Sequence, residues 1–174
     1  GLKPGVDIIG ADAAWDAPLA PYFDMAEIAW NHAGTMLAYT CKPLTGTAYA
    51  VSTDSDIFVY DVASGQTQNI CKPTNFNTGE KIERLRDNLP GYDKYPVWSP
   101  DDRKIAFLSQ RRAGNESDKA RLFLYDCATT EMCDLTEDFD YNAMNVVWEG
   151  NDRARKFYEN CGLTVRKTFL EYPL

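Results

Sequence analysis

The run Tyr95-Pro96-Val97-Trp98-Ser99-Pro100-Asp101-Asp102-Arg103-Lys104-Ile105-Ala106-Phe107-Leu108-Ser109 decides how the chain is read. A β-branched and aromatic stretch ends at Trp98, a Ser-Pro-Asp-Asp cluster turns the chain, and an alternating stretch leaves from Ile105, which is the pattern of a hairpin. The same frame recurs at Ile28-Ala29-Trp30-Asn31-His32-Ala33-Gly34-Thr35-Met36-Leu37-Ala38-Tyr39 and begins again at Val146-Val147-Trp148-Glu149-Gly150-Asn151-Asp152. In each copy the tryptophan is followed four residues later by Gly34, Asp102 or Asp152 and nine residues later by an aromatic, Tyr39, Phe107 or Phe157. Such internal repetition fixes the architecture before any local reading does.

The repeat continues past the hairpin. Asp56-Ile57-Phe58-Val59-Tyr60-Asp61 aligns with Arg121-Leu122-Phe123-Leu124-Tyr125-Asp126, and short apolar stretches follow through Ile70 and Leu135. One unit is therefore strand, turn, strand, long loop, strand, tight turn, strand. Four antiparallel strands of this kind form one blade of a β-propeller, a unit of ~40–50 residues that buries both faces only when neighbours stack on it. The expected fold is all-β: about two four-stranded blades, at 28–71 and 94–136, and an incomplete third within 137–174. An irregular segment, 1–27, precedes them, and an insertion with one or two helical turns, 72–93, separates the blades. The tryptophans should hold equivalent places in successive sheets. At 174 residues and ~45 residues per blade the chain looks like a piece of a closed propeller. The loops at 42–55, rich in Thr, Ser, Gly and Ala, and at 111–119, charged, should lie exposed on one rim.

A net charge of −8 argues against nucleic acid as a partner, because backbone binding needs clustered Lys and Arg. No apolar run approaches the ~20 residues of a spanning helix, so no membrane role is expected. The first residues lack the pattern of a secretory leader, so the chain either is intracellular or stands without one. The five cysteines, Cys41, Cys71, Cys127, Cys133 and Cys161, cannot all pair internally, and Cys127 and Cys133 align with Val62 and Gln68. They read as incidental strand residues rather than a disulfide framework or a zinc site. No metal and no cofactor is expected. Nucleophilic hydrolysis needs a serine on a Gly-x-Ser-x-Gly elbow with an imidazole and a carboxylate. That elbow is missing from the sequence, and the single histidine, His32, sits in a turn where the next unit has Pro100. No catalytic residue is assigned. Glu80 and Glu83, or Glu116 with Asp118, are loop charges.

Gly91-Tyr92-Asp93-Lys94-Tyr95-Pro96-Val97-Trp98-Ser99-Pro100-Asp101, the acidic run at 134–142 and the strand at 123–126 resemble the N-terminal propeller of bacterial dipeptidyl-peptidase-like enzymes of the prolyl oligopeptidase family. The hairpin is also similar to those of TolB-like propellers. In the peptidases the propeller caps an α/β-hydrolase domain and restricts which peptides reach the catalytic serine. The resemblance, over about residues 15–152, implies gating and docking of a peptide substrate for a hydrolase domain, with no catalysis in this part. It also implies a periplasmic or secreted compartment, the cytoplasm being the alternative. A TolB-like module that binds another protein through its rim is the second reading.

The end of the chain departs from the repeat. Ala154, Phe157, Tyr158 and Cys161 fall at helical spacing, with Asn151 or Asp152 as N-cap and Gly162 as stop, and a strand is expected over 163–172. Asn151, Ala154, Phe157, Tyr158 and Gly162 resemble the closing helix of the GNAT acetyltransferase superfamily. Under that third reading Tyr158 stands where a tyrosine protonates the thiolate of coenzyme A. The glycine-rich pyrophosphate turn of that superfamily is missing, and helical spacing equally makes Tyr158 a packing residue. An incomplete third blade leaves an edge uncovered, from which self-association or excision from a longer chain is expected.

Overall fold

The computed structural model describes residues 4–9, 15–17, 27–72 and 89–148. Eight strands form two antiparallel sheets, each a meander in sequence order. The first contains β1 (Ile28–Trp30), β2 (Met36–Cys41), β3 (Asp56–Asp61) and β4 (Thr67–Asn69). The second contains β5 (Asp93–Trp98), β6 (Lys104–Ser109), β7 (Arg121–Asp126) and β8 (Met132–Asp134). Strand lengths repeat as well: β2 and β3, like β6 and β7, have six residues, and β4 and β8 have three. These are two successive blades of a partial β-propeller.

Period-two patterning assigns the faces. Ala38, Ile57, Ile70 and Cys71 of the first blade meet Trp98, Ile105, Phe107, Phe123 and Tyr125 of the second in one core between the sheets. The alternate residues Tyr39, Cys41 and Phe58 point to the opposite face of the first blade and pack with Ile8 and Trp15. Tyr39 stacks on its cross-strand partner Phe58 with centroids 5.7 Å apart, and Phe107 on its partner Phe123 at 5.8 Å. In both blades this aromatic pair points the same way round the propeller.

Turn chemistry explains the residues that punctuate the repeat. Gly34 and Asp102, four residues after their tryptophans, both have positive φ, 67° and 59°. A left-handed residue closes each hairpin, and glycine and aspartate tolerate that region. In the β3–β4 and β7–β8 turns the same position falls to Gly65 (φ 68°) and Thr130 (φ 60°). In β5 the pairing shifts between Lys94 and Val97, where Tyr95 has φ 58° and precedes Pro96, as at a bulge.

Three features differ from the sequence reading. Residues 42–55 are not wholly loop: a short helix, α1 (Gly46–Val51), lies within them, with no buried residue. The three tryptophans hold equivalent places but differ in burial. Trp98 is 3% exposed against the first blade, whereas Trp30 faces away from the second blade and is 56% exposed. The stretch ending at Trp148 is not part of a strand, and residues 149–174, which would follow it in the hairpin, lie outside the described residues. The helix and strand expected at the end of the chain lie outside the described residues too, as do residues 73–88 of the insertion expected over 72–93.

Candidate functional site

The β2–β3 loop, the residues just before β5 and the β6–β7 loop meet on one rim. Ser55 donates its amide to the Gly91 carbonyl at 3.2 Å, and its own carbonyl accepts the Asp93 amide at 3.2 Å. The Ser55 hydroxyl adds a bond to the Asp93 carbonyl at 2.8 Å. The first blade is thus laddered to the start of the second. Gly91 is required here, because a Cβ on it would lie 1.8 Å from the Gln110 carbonyl oxygen. The Gln110 side-chain amide, 8% exposed as a residue, donates to the Glu116 and Asp118 carbonyls at 3.0 and 2.9 Å. The Arg112 guanidinium clasps the Asp118 carboxylate, and Gly114 donates its amide to the Thr53 hydroxyl at 2.9 Å. The charged loop is therefore a folded structure fastened to the neighbouring blade.

Beneath this rim Asp56, Cys71 and Asp93 converge, with one donor atom of each lying within 4.8 Å of the others. All three are completely buried. Lys72 supplies positive charge to one side of the group, with Nζ 2.5 Å from Asp54 Oδ1 and 2.9 Å from Asp56 Oδ1. Asn69 donates to the other Asp56 oxygen at 2.9 Å. Burial pushes the Asp56 carboxyl up, and Lys72 and Asn69 offset only part of that rise. Asp93 is worse placed: burial raises its carboxyl well above the usual range, although the Ser109 hydroxyl and the Cys71 thiol lie near enough to favour ionisation. Neither neighbour reaches it with proper hydrogen-bond geometry, so both Asp93 oxygens are unpartnered, and the Ser109 hydroxyl instead donates to the Gln110 carbonyl at 3.3 Å. Burial also raises the Cys71 thiol far above its ordinary value, and the Asp93 and Asp56 carboxylates add to the rise.

Sequence reading missed this convergence, yet the repeat carried a signal. Asp56 aligns with Arg121 and Asn69 with Asp134. In the second blade those positions form an ion pair at 3.2 Å, where the first blade has a carboxylate with an amide. Cys71 aligns with Thr136, whose amide likewise reaches back two residues, to Asp134 at 2.8 Å, as that of Cys71 does to Asn69 at 2.9 Å. The acid and the thiol are thus departures from the repeat at one spot.

The repeat residues gather elsewhere. Trp98 Nε1 donates to the Ala29 carbonyl at 3.0 Å, and Trp148 Nε1 to the Val97 carbonyl at 3.3 Å. Each tryptophan thus bonds the residue just before the tryptophan of the preceding unit. Asp102, in the β5–β6 turn, accepts the amides of His32 and Ala33 at 2.7 and 2.8 Å and contacts His32 Nδ1 at 2.9 Å. Burial works against the charge on Asp102, but these bonds outweigh it and hold its carboxyl below the usual range. His32 and Asp102 form a pair of the kind that orients a general base. Among the described residues, however, no hydroxyl or thiol is recorded in hydrogen-bond contact with the ring, which is exposed and lies in the turn opposite the rim. The pair ties one blade to the next. Gly34 and Tyr39 stay within the first blade and Phe107 lies in the core between the blades, while Asp152, Phe157, Tyr158, Glu80, Glu83 and Cys161 lie outside the described residues. Cys71, Cys127 and Cys133 are free thiols, and Cys41 is buried. Among the described residues no helix is long and apolar enough to cross a membrane.

Known proteins resemble the chain along most of its length. A dipeptidyl-peptidase 5 of Porphyromonas gingivalis is 35% identical over 156 residues, which is 90% of this chain and 20% of that protein. The dipeptidyl-peptidase 5 of Porphyromonas endodontalis is 35% identical over 123 residues, 71% of this chain and 16% of that protein. The chain thus spans about a fifth or less of the length of the curated relatives it matches. Among solved structures, TolB from Acinetobacter baumannii aligns with a TM-score of 0.40 at 15% identity, over 68% of this chain and 22% of that one. No protein-family model matches the chain. None of these comparisons supports the acetyltransferase resemblance of the C-terminal segment.

Proposed function

We propose that the chain is a non-catalytic propeller portion of a serine exopeptidase of the prolyl oligopeptidase family, acting on dipeptide units of peptide substrates. Its task in this reading is to shape the path by which a peptide reaches a hydrolase domain that this chain does not contain. The observation that carries it is the 35% identity to a dipeptidyl-peptidase 5 along 90% of the chain, matched to only 20% of that protein. Two features support it further. No Gly-x-Ser-x-Gly elbow occurs in the sequence, and the single histidine is engaged in a contact between blades. The rim loop at 111–119 is held in one shape by Arg112, Gln110 and Thr53, which suits a surface that must discriminate by form.

The test is to express this chain alone and within its full reading frame, and to assay both with chromogenic dipeptide substrates. The isolated chain is expected to be inactive and the longer protein active. Replacing residues 111–119 in the longer protein by a short Gly-Ser link should change KM for long peptides more than for dipeptide derivatives. A longer frame without a hydrolase domain would overturn the proposal and leave the TolB-like interaction module.

A further inference from the structure

We propose that Asp56, Cys71 and Asp93 form a buried site for one divalent transition-metal ion of the zinc type, which fastens the two blades together beneath the rim.

Charge balance carries the argument. A carboxylate transferred out of water needs hydrogen bonds or a counter-charge, and its isolated burial is very unfavourable. Lys72 answers this for Asp54 and for one oxygen of Asp56. Asp93 is completely buried, and both its oxygens lack a partner. Asp56 has Lys72 at one oxygen and Asn69 at the other, which leaves Asp93 as the carboxylate without an answer. The two unpartnered Asp93 oxygens face the Cys71 sulfur, which accepts the Ile57 amide at 3.3 Å. A cation placed among the donors meets every unmet requirement at once.

Donor type and spacing select the ion. Thiolate with two carboxylates suits a borderline metal, whereas magnesium and calcium prefer oxygen alone and magnesium keeps several waters, for which a fully buried group has no room. Zinc with ligands at ~2.0–2.3 Å holds tetrahedral donors roughly 3.3–3.8 Å apart. The donors here lie within 4.8 Å of one another and need draw in by at most ~1–1.5 Å. Asp56, Cys71 and Asp93 supply three ligand groups, and Asp93 can chelate through both oxygens, whose close spacing takes the site away from a regular tetrahedron. On binding, any proton held by Cys71 or Asp93 leaves to solvent and the sulfur binds as thiolate. Asp56 and Cys71 flank β3 and β4 in the first blade while Asp93 opens β5 in the second, so the ion spans the contact between them.

The experiment uses the purified 174-residue chain, stripped with a chelator and then titrated with Zn²⁺ in calorimetry and with Co²⁺ in absorption. Expected results are one equivalent bound, proton release seen as dependence of the heat on buffer, a sulfur-to-cobalt band, and a rise in Tm with metal. The band should persist in Cys133→Ser, which alters an exposed cysteine, and vanish in Cys71→Ser. Asp93→Asn and Cys71→Ser should each weaken binding by at least the ~10–100-fold that even an outer-shell partner is worth. If either variant fails to fold, the wild-type stoichiometry, band and proton release still decide. A stripped protein that binds no metal, or binds it equally well as Asp93→Asn, overturns the proposal and leaves Asp93 a buried neutral acid.

Discussion

Trp98 Nε1 lies 3.0 Å from the Ala29 carbonyl, so an indole of the second blade completes a hydrogen bond that the first blade cannot make for itself. The bond repeats one unit later between Trp148 and Val97. Trp98→Phe keeps the aromatic packing and removes the bond, and should cost about 1 kcal/mol. Trp98→Ala also opens a cavity in the core between the blades and should cost roughly 3–5 kcal/mol. Urea denaturation of the two variants checks both values through the shift in midpoint.

Asp102 links the turns of the two blades, and its folded-state pKa is depressed by the His32 and Ala33 amides against the effect of burial. Its contribution is therefore present above the ordinary aspartate value and is lost as pH falls through the lower, folded value. The His32 ring lies beside it, and Cys127 is the nearby thiol. Thermal melts of Asp102→Asn across acid pH should show a shallower loss of Tm than the wild type. An unchanged acid limb would show that the charge is not what joins the turns.

Thr130 occupies a left-handed turn position, φ 60°, that its counterpart Gly65 fills without strain. Thr130→Gly should stabilise the chain by about 0.5–1 kcal/mol net, the gain in backbone ease exceeding the extra freedom of the unfolded glycine. Gly65→Thr should destabilise by about as much or more. Differential scanning calorimetry resolves both.

Gly91 has no room for a side chain, the Gln110 carbonyl lying 1.8 Å from a would-be Cβ. Gly91→Ala must push the two strand ends apart and break the Ser55 ladder, so a loss of more than about 3 kcal/mol is expected. The far-ultraviolet spectrum should keep its sheet signal while protease susceptibility at the rim rises.

Trp30 presents its ring on the face of the first blade turned away from the second, 56% exposed. At high concentration the isolated chain is expected to self-associate through that face, and Trp30→Lys should reduce the association. Light scattering coupled to size exclusion measures it, and a monodisperse monomer at high concentration would count against it.

Much of the architecture was legible because repetition is a property of sequence. The alignment of 56–61 with 121–126 placed β3 opposite β7 in their blades, and the aspartate or glycine after each tryptophan marked a left-handed turn. What the repeat could not show was anything dependent on which neighbours are present, so Trp30 and Trp98 look alike in sequence and differ in exposure. Nor could it show groups brought together from unrelated places. Asp56, Cys71 and Asp93 have no ligand-like spacing and meet only because the Ser55 ladder draws one blade to the next. The helix α1 was hidden because Gly46, Thr47 and Val51 are poor helix formers and its six residues show no helical periodicity of apolar positions.

The Ser55 ladder at one end, the indole of Trp98 and the carboxylate of Asp102 at the other fasten the two sheets along their whole height. Among the described residues these ties leave the sheets no hinge, so the pair should tilt as one plate and its amides at Ser55 and Asp93 should exchange with solvent together. A larger ring built from units like these, if it must gape to let something through, has to come apart at a different seam.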